Sequence, residues 1–390
     1  LKLNYHNFEG VRTLRYKLLI LASSFAAIAL SNSVNAQIAG EKIADSYICV
    51  FKAKSVGRGG EQGAAAAAAR AAGAQVSHVY TTALQGFSAR IPDQAVERMK
   101  AADARIDYCE QDQVMSLVPI RIEAKPSRGG GGSQPAQTTP WGVIRVLGSN
   151  PTFSSGTGGK AWVIDTGIDP QHPDLTVDTA NSRSFVSTTS YVDQNGHGTH
   201  VAGTIAARNN TIGVVGVAPG ATVVAIRVLD ARGSGTTSGV IAGVDYVAQR
   251  AVAGDVANMS LGGGVSAALD TAVATAAAKQ IRFAIAAGNS TAFAGNSSPA
   301  RVDAPNVFTV SAFGSNDVFA SFSNYGNPPI DFAEPGVSIT STWLSGGYNT
   351  ISGTSMAAPH LAGLLLLGNI SIGGYVTGDR DSSPDPIGVR

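Results

Sequence analysis

From Trp141 onward, short unbroken apolar runs alternate with longer runs of helical character. This alternation constrains the fold more than any other feature. Ala161 to Ile164, Thr222 to Val228, Val256 to Met259 and Arg282 to Ala286 read as strands. Val201 to Ala207, Val240 to Val252 and Ala267 to Lys279 read as helices. A strand that is apolar and β-branched throughout has no face to give to water, so it must be covered on both sides. Strands of this kind, separated by helices, predict an α/β fold: a mostly parallel sheet with helices on both faces.

The front third has a different texture. Residues 1–136 hold 16 Lys+Arg against 11 Asp+Glu, whereas residues 137–390 hold 12 against 16. Arg12, Arg15 and Lys17 precede the apolar run Leu18–Leu30, and Val34-Asn35-Ala36 follows as a small-residue cleavage pattern. Residues 1–36 therefore read as a signal peptide, with an apolar run too short to span a bilayer. Residues 43–118 read as a small α+β domain in the order βαββαβ, ferredoxin-like in its element order. Its helices are the alanine run Ala64–Ala72, closed by Gly73, and a segment opened by Pro92-Asp93-Gln94. Residues 119–136 read as a cleavable linker, since Ser127–Ser133 is mostly glycine and such chain is accessible to proteases.

Composition excludes several classes. With 44% hydrophobic and 14% charged residues, the chain has material for a core and is not a disordered polymer. A net charge of +1 gives no footprint for nucleic acid. The two cysteines, Cys49 and Cys109, both lie in the front third, so residues 137–390 hold neither a disulfide framework nor a thiolate metal site. A bridge between the two and a pair of separate apolar thiols both remain open.

Chemistry in an open parallel sheet gathers at the carboxyl ends of its strands. Asp165 ends the strand Ala161–Ile164, in Asp165-Thr166-Gly167. His197 stands between glycines at the start of a small-residue helix, in Gly196-His197-Gly198-Thr199-His200. Ser355 lies at another helix start, in Gly353-Thr354-Ser355-Met356-Ala357-Ala358-Pro359-His360, with Pro359 expected in the first turn. Asn289 follows the strand Arg282–Ala286 in Ala286-Ala287-Gly288-Asn289. Singly, each has an ordinary structural role as a turn or helix cap. Together they supply what a serine nucleophile needs: a base of near-neutral pKa, a carboxylate to orient it, and an amide donor for an oxyanion. His200, one turn beyond His197, lacks the third ligand of a metal site and reads as a structural neighbour.

These four blocks resemble the signature blocks of the subtilisin-like serine proteases, in that family's order Asp, His, Ser. The wording of Ser321–Gly326 and Asn258–Gly263 looks most like the proteinase K branch. The resemblance implies that Asp165 orients, His197 is general base and then acid, and Ser355 attacks. Asn289 and the Ser355 N–H would stabilise the oxyanion. It also implies that the front domain is an inhibitory propeptide, acting as intramolecular inhibitor and chaperone.

Gly233-Ser234-Gly235 reads as a small exposed edge able to pair with an extended polypeptide substrate. By resemblance, Ser260-Leu261-Gly262 is a second edge. Leu261-Gly262-Gly263 with Ala286, Ala287 and Gly288 would bound a primary pocket free of charge, which implies broad specificity with apolar or aromatic preference. No cofactor is expected for the chemistry. The resemblance implies one structural calcium, held by the Pro305 and Val307 carbonyls and Asp331, an oxygen set that suits the ion. The expected molecule is a secreted, extracellular monomer with no nucleic-acid partner and no membrane contact after signal removal. Only 35 residues follow Ser355, which puts the sheet edge there in question. An esterase of the α/β-hydrolase type would need Gly-x-Ser-x-Gly and the order Ser, Asp, His, neither of which is present. A catalytically silent peptide-binding homologue is the alternative.

Overall fold

A computed structural model describes residues 38–117, 121–122, 134–156 and 158–390. The expected signal segment and most of the linker lie outside the described residues. Residues 37–390 form one compact unit.

The first part of that unit runs β1 (Lys42–Phe51), α1 (Glu61–Ala72), β2 (Gln75–Tyr80), β3 (Gly86–Arg90), α2 (Asp93–Ala102), β4 (Ile106–Leu117). Its strands are antiparallel, in the order β4-β1-β3-β2. Helix α1 survives on alanines because Ala64, Ala65, Ala68 and Ala69 recur on one buried face. Gly73, at φ 64°, takes the left-handed turn that ends it. Phe87, Ile91, Met99 and Ile106 fill the layer between sheet and helices. Cys49 on β1 stands directly opposite Cys109 on β4, and the two are bonded as a disulfide, which resolves the choice that the sequence leaves open.

The chain continues through β5 (Arg121–Ile122), α3 (Trp141–Leu147), β6 (Ala161–Asp165), β7 (Thr176–Val177), β8 (Arg183–Ser184) and α4 (His197–Ala206). Next come β9 (Thr222–Arg227), β10 (Ser234–Thr236), α5 (Thr237–Arg250), β11 (Val256–Met259), β12 (Leu261–Gly262), α6 (Ala267–Ala277) and β13 (Arg282–Ala286). The last elements are β14 (Val307–Phe313), β15 (Ile330–Pro335), β16 (Ile339–Trp343), β17 (Gly347–Ser352), α7 (Thr354–Leu367), β18 (Ser371–Tyr375) and β19 (Pro386–Val389). The main sheet has the order β18-β19-β15-β14-β13-β11-β6-β9-β7 and is parallel except for β18. The α/β architecture read from the sequence is therefore the one found.

Alternation along the central strands builds two apolar layers. Trp162, Ile164, Val224, Ile226, Phe283 and Ile285 point to the layer shared with α5 and α6. Their neighbours Ala161, Val163, Val223, Ala225, Ala284 and Ala286 point to the layer shared with α4 and α7. That second layer is lined by small residues, which lets α4 and α7 sit close; every residue of both helices is buried. The connection after β6 thus lies on one face, while that after the adjacent β11 lies on the other. The crevice at their carboxyl ends is the topological switch point where such folds place their chemistry.

The tail departs from expectation. Its polar composition suggests an unfinished edge, yet β19 joins β15 in parallel and Ile387 is buried with Phe313 and Ala333.

Candidate active site

Asp165 and His197 meet at the switch point, Ser355 lies at the start of α7, the helix packed against α4, and all three are fully buried. Asp165 is the last residue of β6 and its Oδ1 accepts from the Thr166 N–H at 2.7 Å. His197 opens α4, and its Nδ1 lies 2.8 and 3.0 Å from the two Asp165 oxygens. A carboxylate only accepts, so Nδ1 carries the proton that faces Asp165. Among the described residues Nε2 has no hydrogen-bond partner. The close approach depends on Gly198, where a Cβ would stand 2.1 Å from the Gly167 carbonyl.

Ser355 is the second residue of α7, and its Oγ donates to the Ser260 carbonyl at 3.3 Å. Helix α7 begins at Thr354, so Pro359 falls in the second turn rather than the expected first. Proline has no N–H, so the Ser355 carbonyl lacks its helical donor. The Ser260 hydroxyl fills that place at 3.0 Å.

Asn289 is fixed by its carboxamide oxygen, which accepts from the Thr354 N–H and Oγ1–H, both at 2.8 Å. It lines a cavity of about 310 Å³ with Gly262, Gly288, Asn296, Ser297 and Asn324. Among the described residues, no charged side chain lines this cavity. Leu261, Ala286 and Ala287 do not face it but lie buried. Asn324 escaped the sequence reading. Its oxygen accepts from Ser290 N and Ala292 N, and its Nδ2 donates to the Ala287 carbonyl, so it pins the loop that carries Asn289.

Both expected edges pair with the same strand. Gly235 stands opposite Met115 and Ser234 opposite Ser116, while Gly262 also stands opposite Ser116. The N–H of Leu117 donates to the Gly233 carbonyl at 2.9 Å. β4 is thus held between β10 and β12, and its Leu117 and Met115 side chains occupy space that a Cβ on Gly233 or Gly263 would fill. Two carboxylates of the same strand reinforce the contact. Asp112 accepts from Ser238 N at the start of α5, and Glu110 from Ala267 N at the start of α6. Both place negative charge where helix amides are unsatisfied.

His200 is a structural residue. Its Nε2 shares its proton between the Ile339 and Asn349 carbonyls, and burial, with His197 beside it, holds its pKa down at about 3.

A model of the subtilase family matches residues 156–368. The chain belongs to the subtilase family. Alkaline serine exoprotease A of Vibrio alginolyticus is 44% identical over 301 residues, covering 75% of this chain and 53% of that protein. Proteinase R of Parengyodontium album, of the proteinase K branch, is 37% identical over 344 residues, covering 83% and 79%. A crystal structure described as a cold adapted subtilisin-like serine proteinase aligns at a TM-score of 0.55 and 43% identity, covering 63% of this chain and 96% of that one. The chain thus spans about half the length of the Vibrio relative and most of the other two. The subtilase domain of this chain is a serine endopeptidase domain of subtilisin-like fold.

The oxygen set expected for calcium centres on Asp331. Burial, opposed in part by the Thr309 N–H and aided by the neighbouring Asp303, pushes the Asp331 carboxyl up to about 6. Asp331 offers an oxygen donor of the kind Ca²⁺ takes, and one of its two oxygens already accepts from the Thr309 N–H. Among the described residues, no group of three or more His, Cys, Asp or Glu side chains could hold a metal. A site here would therefore depend on backbone carbonyls.

Proposed function

We propose that the chain is a secreted serine endopeptidase, made as a precursor that cuts itself and is held inactive by its own front domain. One observation carries this reading: β4 lies between β10 and β12 as an extended substrate would, ending at Leu117 beside Gly233. Strand addition of this kind gives affinity through main-chain hydrogen bonds and leaves sequence preference to the side-chain pockets.

In the proposed reaction, His197 Nε2 takes the Ser355 proton as Oγ attacks the substrate carbonyl. Asp165 keeps the imidazole in the Nδ1–H tautomer and offsets the imidazolium charge. The tetrahedral oxyanion is met by the Ser355 N–H and the Asn289 NH2 group, whose orientation follows from the engagement of its oxygen by Thr354. Protonated His197 then delivers its proton to the leaving amine, and an acyl-enzyme remains for water to hydrolyse. Ser355 Oγ must first turn from the Ser260 carbonyl toward His197. The uncharged cavity beside Asn289 supports a preference for apolar or aromatic side chains before the cut bond.

Maturation would begin between Leu117 and Arg121. Leu117 ends in the two edges, and β5 (Arg121–Ile122) pairs with β17, which leads into Ser355. Trimming would then proceed to about Gln137, where bridges from Ala136 to Ile212 and Thr138 to Val214 anchor the chain. The front domain would stay bound as inhibitor through β4, Asp112 and Glu110. Pro305 and Val307 carbonyls with Asp331 would hold one structural calcium. Export through residues 1–36 and a monomeric state complete the proposal. Among the described residues no helix is long and apolar enough to cross a membrane.

The deciding experiment is labelling with a serine-directed fluorophosphonate after secretion. The reading expects the label on Ser355 and an unprocessed precursor from Ser355→Ala. An unlabelled Ser355 in processed protein would mark a silent peptide-binding homologue instead.

A further inference from the structure

Asp165 and His197 are 32 residues apart in sequence and sit on separate elements, a strand end and a helix start. Something must fix one against the other. A second carboxylate, Asp193, spans both. Its Oδ1 accepts from Thr166 Oγ1 at 2.9 Å, next to Asp165 in the chain. The same oxygen accepts from the N–H groups of Asn195 and Gly196, at 2.8 and 3.0 Å, just before His197. Oδ2 accepts from Thr199 N at 3.0 Å and Thr199 Oγ1 at 2.7 Å, in the first turn of α4. Thr166 Oγ1 in turn accepts from Gly198 N at 3.0 Å. Asp193 is only 5% exposed.

Five donors aimed at two oxygens specify a carboxylate rather than an amide. An asparagine offers one oxygen, and its NH2 would face donors on the other side. Asp193 is itself held from behind. The buried Arg227 on β9 donates from Nη1 to the Ser190 and Val192 carbonyls, at 3.2 and 2.8 Å, and from Nη2 to Gln194 Oε1 at 2.9 Å. Arg227 is level with Asp165 in the parallel register of β9 and β6. One guanidinium therefore sets the loop that carries Asp193 relative to the strand that carries Asp165.

We propose that Asp193, with its loop braced by Arg227, is a positioning residue that sets the geometry of the Asp165–His197 pair and so the rate of proton transfer from Ser355. The proposal rests on the catalytic roles given above. Displacements of about 1 Å at a reacting centre cost on the order of 100-fold in rate, so the effect should be large and confined to turnover.

The test uses the full chain, with each variant precursor processed by a trace of active wild-type enzyme. In Asp193→Asn, kcat should fall about 100-fold with KM within about threefold, and fluorophosphonate labelling of Ser355 should slow in step. The far-downfield proton resonance of the His197 Nδ1–H shared with Asp165 should broaden or move upfield. Thr166→Val keeps the carboxylate and removes the hydroxyl that joins Asp193 to Gly198, and should give a smaller loss in the same direction. It also serves if Asp193→Asn does not fold. A resonance and labelling rate equal to wild type in the folded variants overturns the proposal. So does a loss of kcat that merely tracks the fraction unfolded. If wild type itself fails to label at Ser355, the triad reading fails; if wild type labels and the variants match it, only the role of Asp193 fails.

Discussion

The Ser260 hydroxyl donates to the Ser355 carbonyl at 3.0 Å, in the place that a helical N–H would take if residue 359 were not proline. The peptide of Ser355, the proposed nucleophile, is thereby tied to the residue just before β12, one of the two proposed substrate edges. Asn258 Nδ2 supports the same hydroxyl at 2.9 Å. In Ser260→Ala the buried Ser355 carbonyl and the Asn258 amide both lose a partner. An unsatisfied buried polar group costs about 1–3 kcal/mol, so unfolding by denaturant should show a loss of that size. The accompanying expectation is reduced turnover with the labelled fraction of Ser355 unchanged, measured by active-site titration.

Asn289→Ala tests the oxyanion assignment. Removing one such donor costs about 10²–10³-fold in turnover, a figure carried over from subtilisin. The substitution also strips the Thr354 N–H and hydroxyl of their acceptor, so some loss of stability should accompany it. Asn289→Asp separates the two effects. It keeps the acceptor for Thr354 but presents an oxygen where the amide donated, so turnover should fall at least as far while the melting temperature recovers. Equal turnover in all three proteins would remove Asn289 from the site.

What the sequence made legible follows from locality. Val163 and Ile164 betray a strand covered on both sides because burial is written into each residue. Asp165, His197, Ser355 and Asn289 were legible because each sits in a run of small residues at an element end. Asp193 was not, since its role exists only when donors from residues 166, 195, 196 and 199 meet on one carboxylate. The Cys49–Cys109 bond needed the register of β1 on β4, which no local signal sets. Pro359 was misplaced because helix α7 gives no sequence mark of its first residue. The strand β19 was hidden in a polar tail by Asp385, whose burial depends on a partner in β14.

That partnership predicts a pH effect on the tail. Asp385 Oδ2 accepts a hydrogen bond from Ser311 Oγ, and burial, with Asp379 and Asp381 nearby, pushes its carboxyl up to about 7. Ser311 and Asn327 oppose the shift in part. The unfolded carboxyl titrates near 3.9, so the folded state favours the neutral form. The resulting stabilisation is fully present below about pH 4 and is lost as pH rises through about 7. Asp385→Asn mimics the neutral group at every pH. Its melting temperature relative to wild type should rise between pH 4 and pH 8. A constant difference across that range would contradict the buried neutral carboxyl.

Disruption of the disulfide tests the front domain as an inhibitor. The bond spans 60 residues and joins β1 to β4, the strand whose end lies between β10 and β12. A cross-link over a loop of that length stabilises by about 4 kcal/mol in the chain-entropy model. The domain's core is small, with alanines supplying much of it, so this is a large share of what holds it folded. Replacing both cysteines by alanine should leave the domain folded only while it is bound. After the first cut it should unfold as it dissociates and be digested sooner, so that activity appears earlier in a time course of maturation. Wild-type precursor treated with a reductant should behave the same way, and the double-alanine variant should not respond to reductant. Identical activation time courses with and without the bond would show that contacts at the cleft, rather than the fold of the domain, set the rate of release.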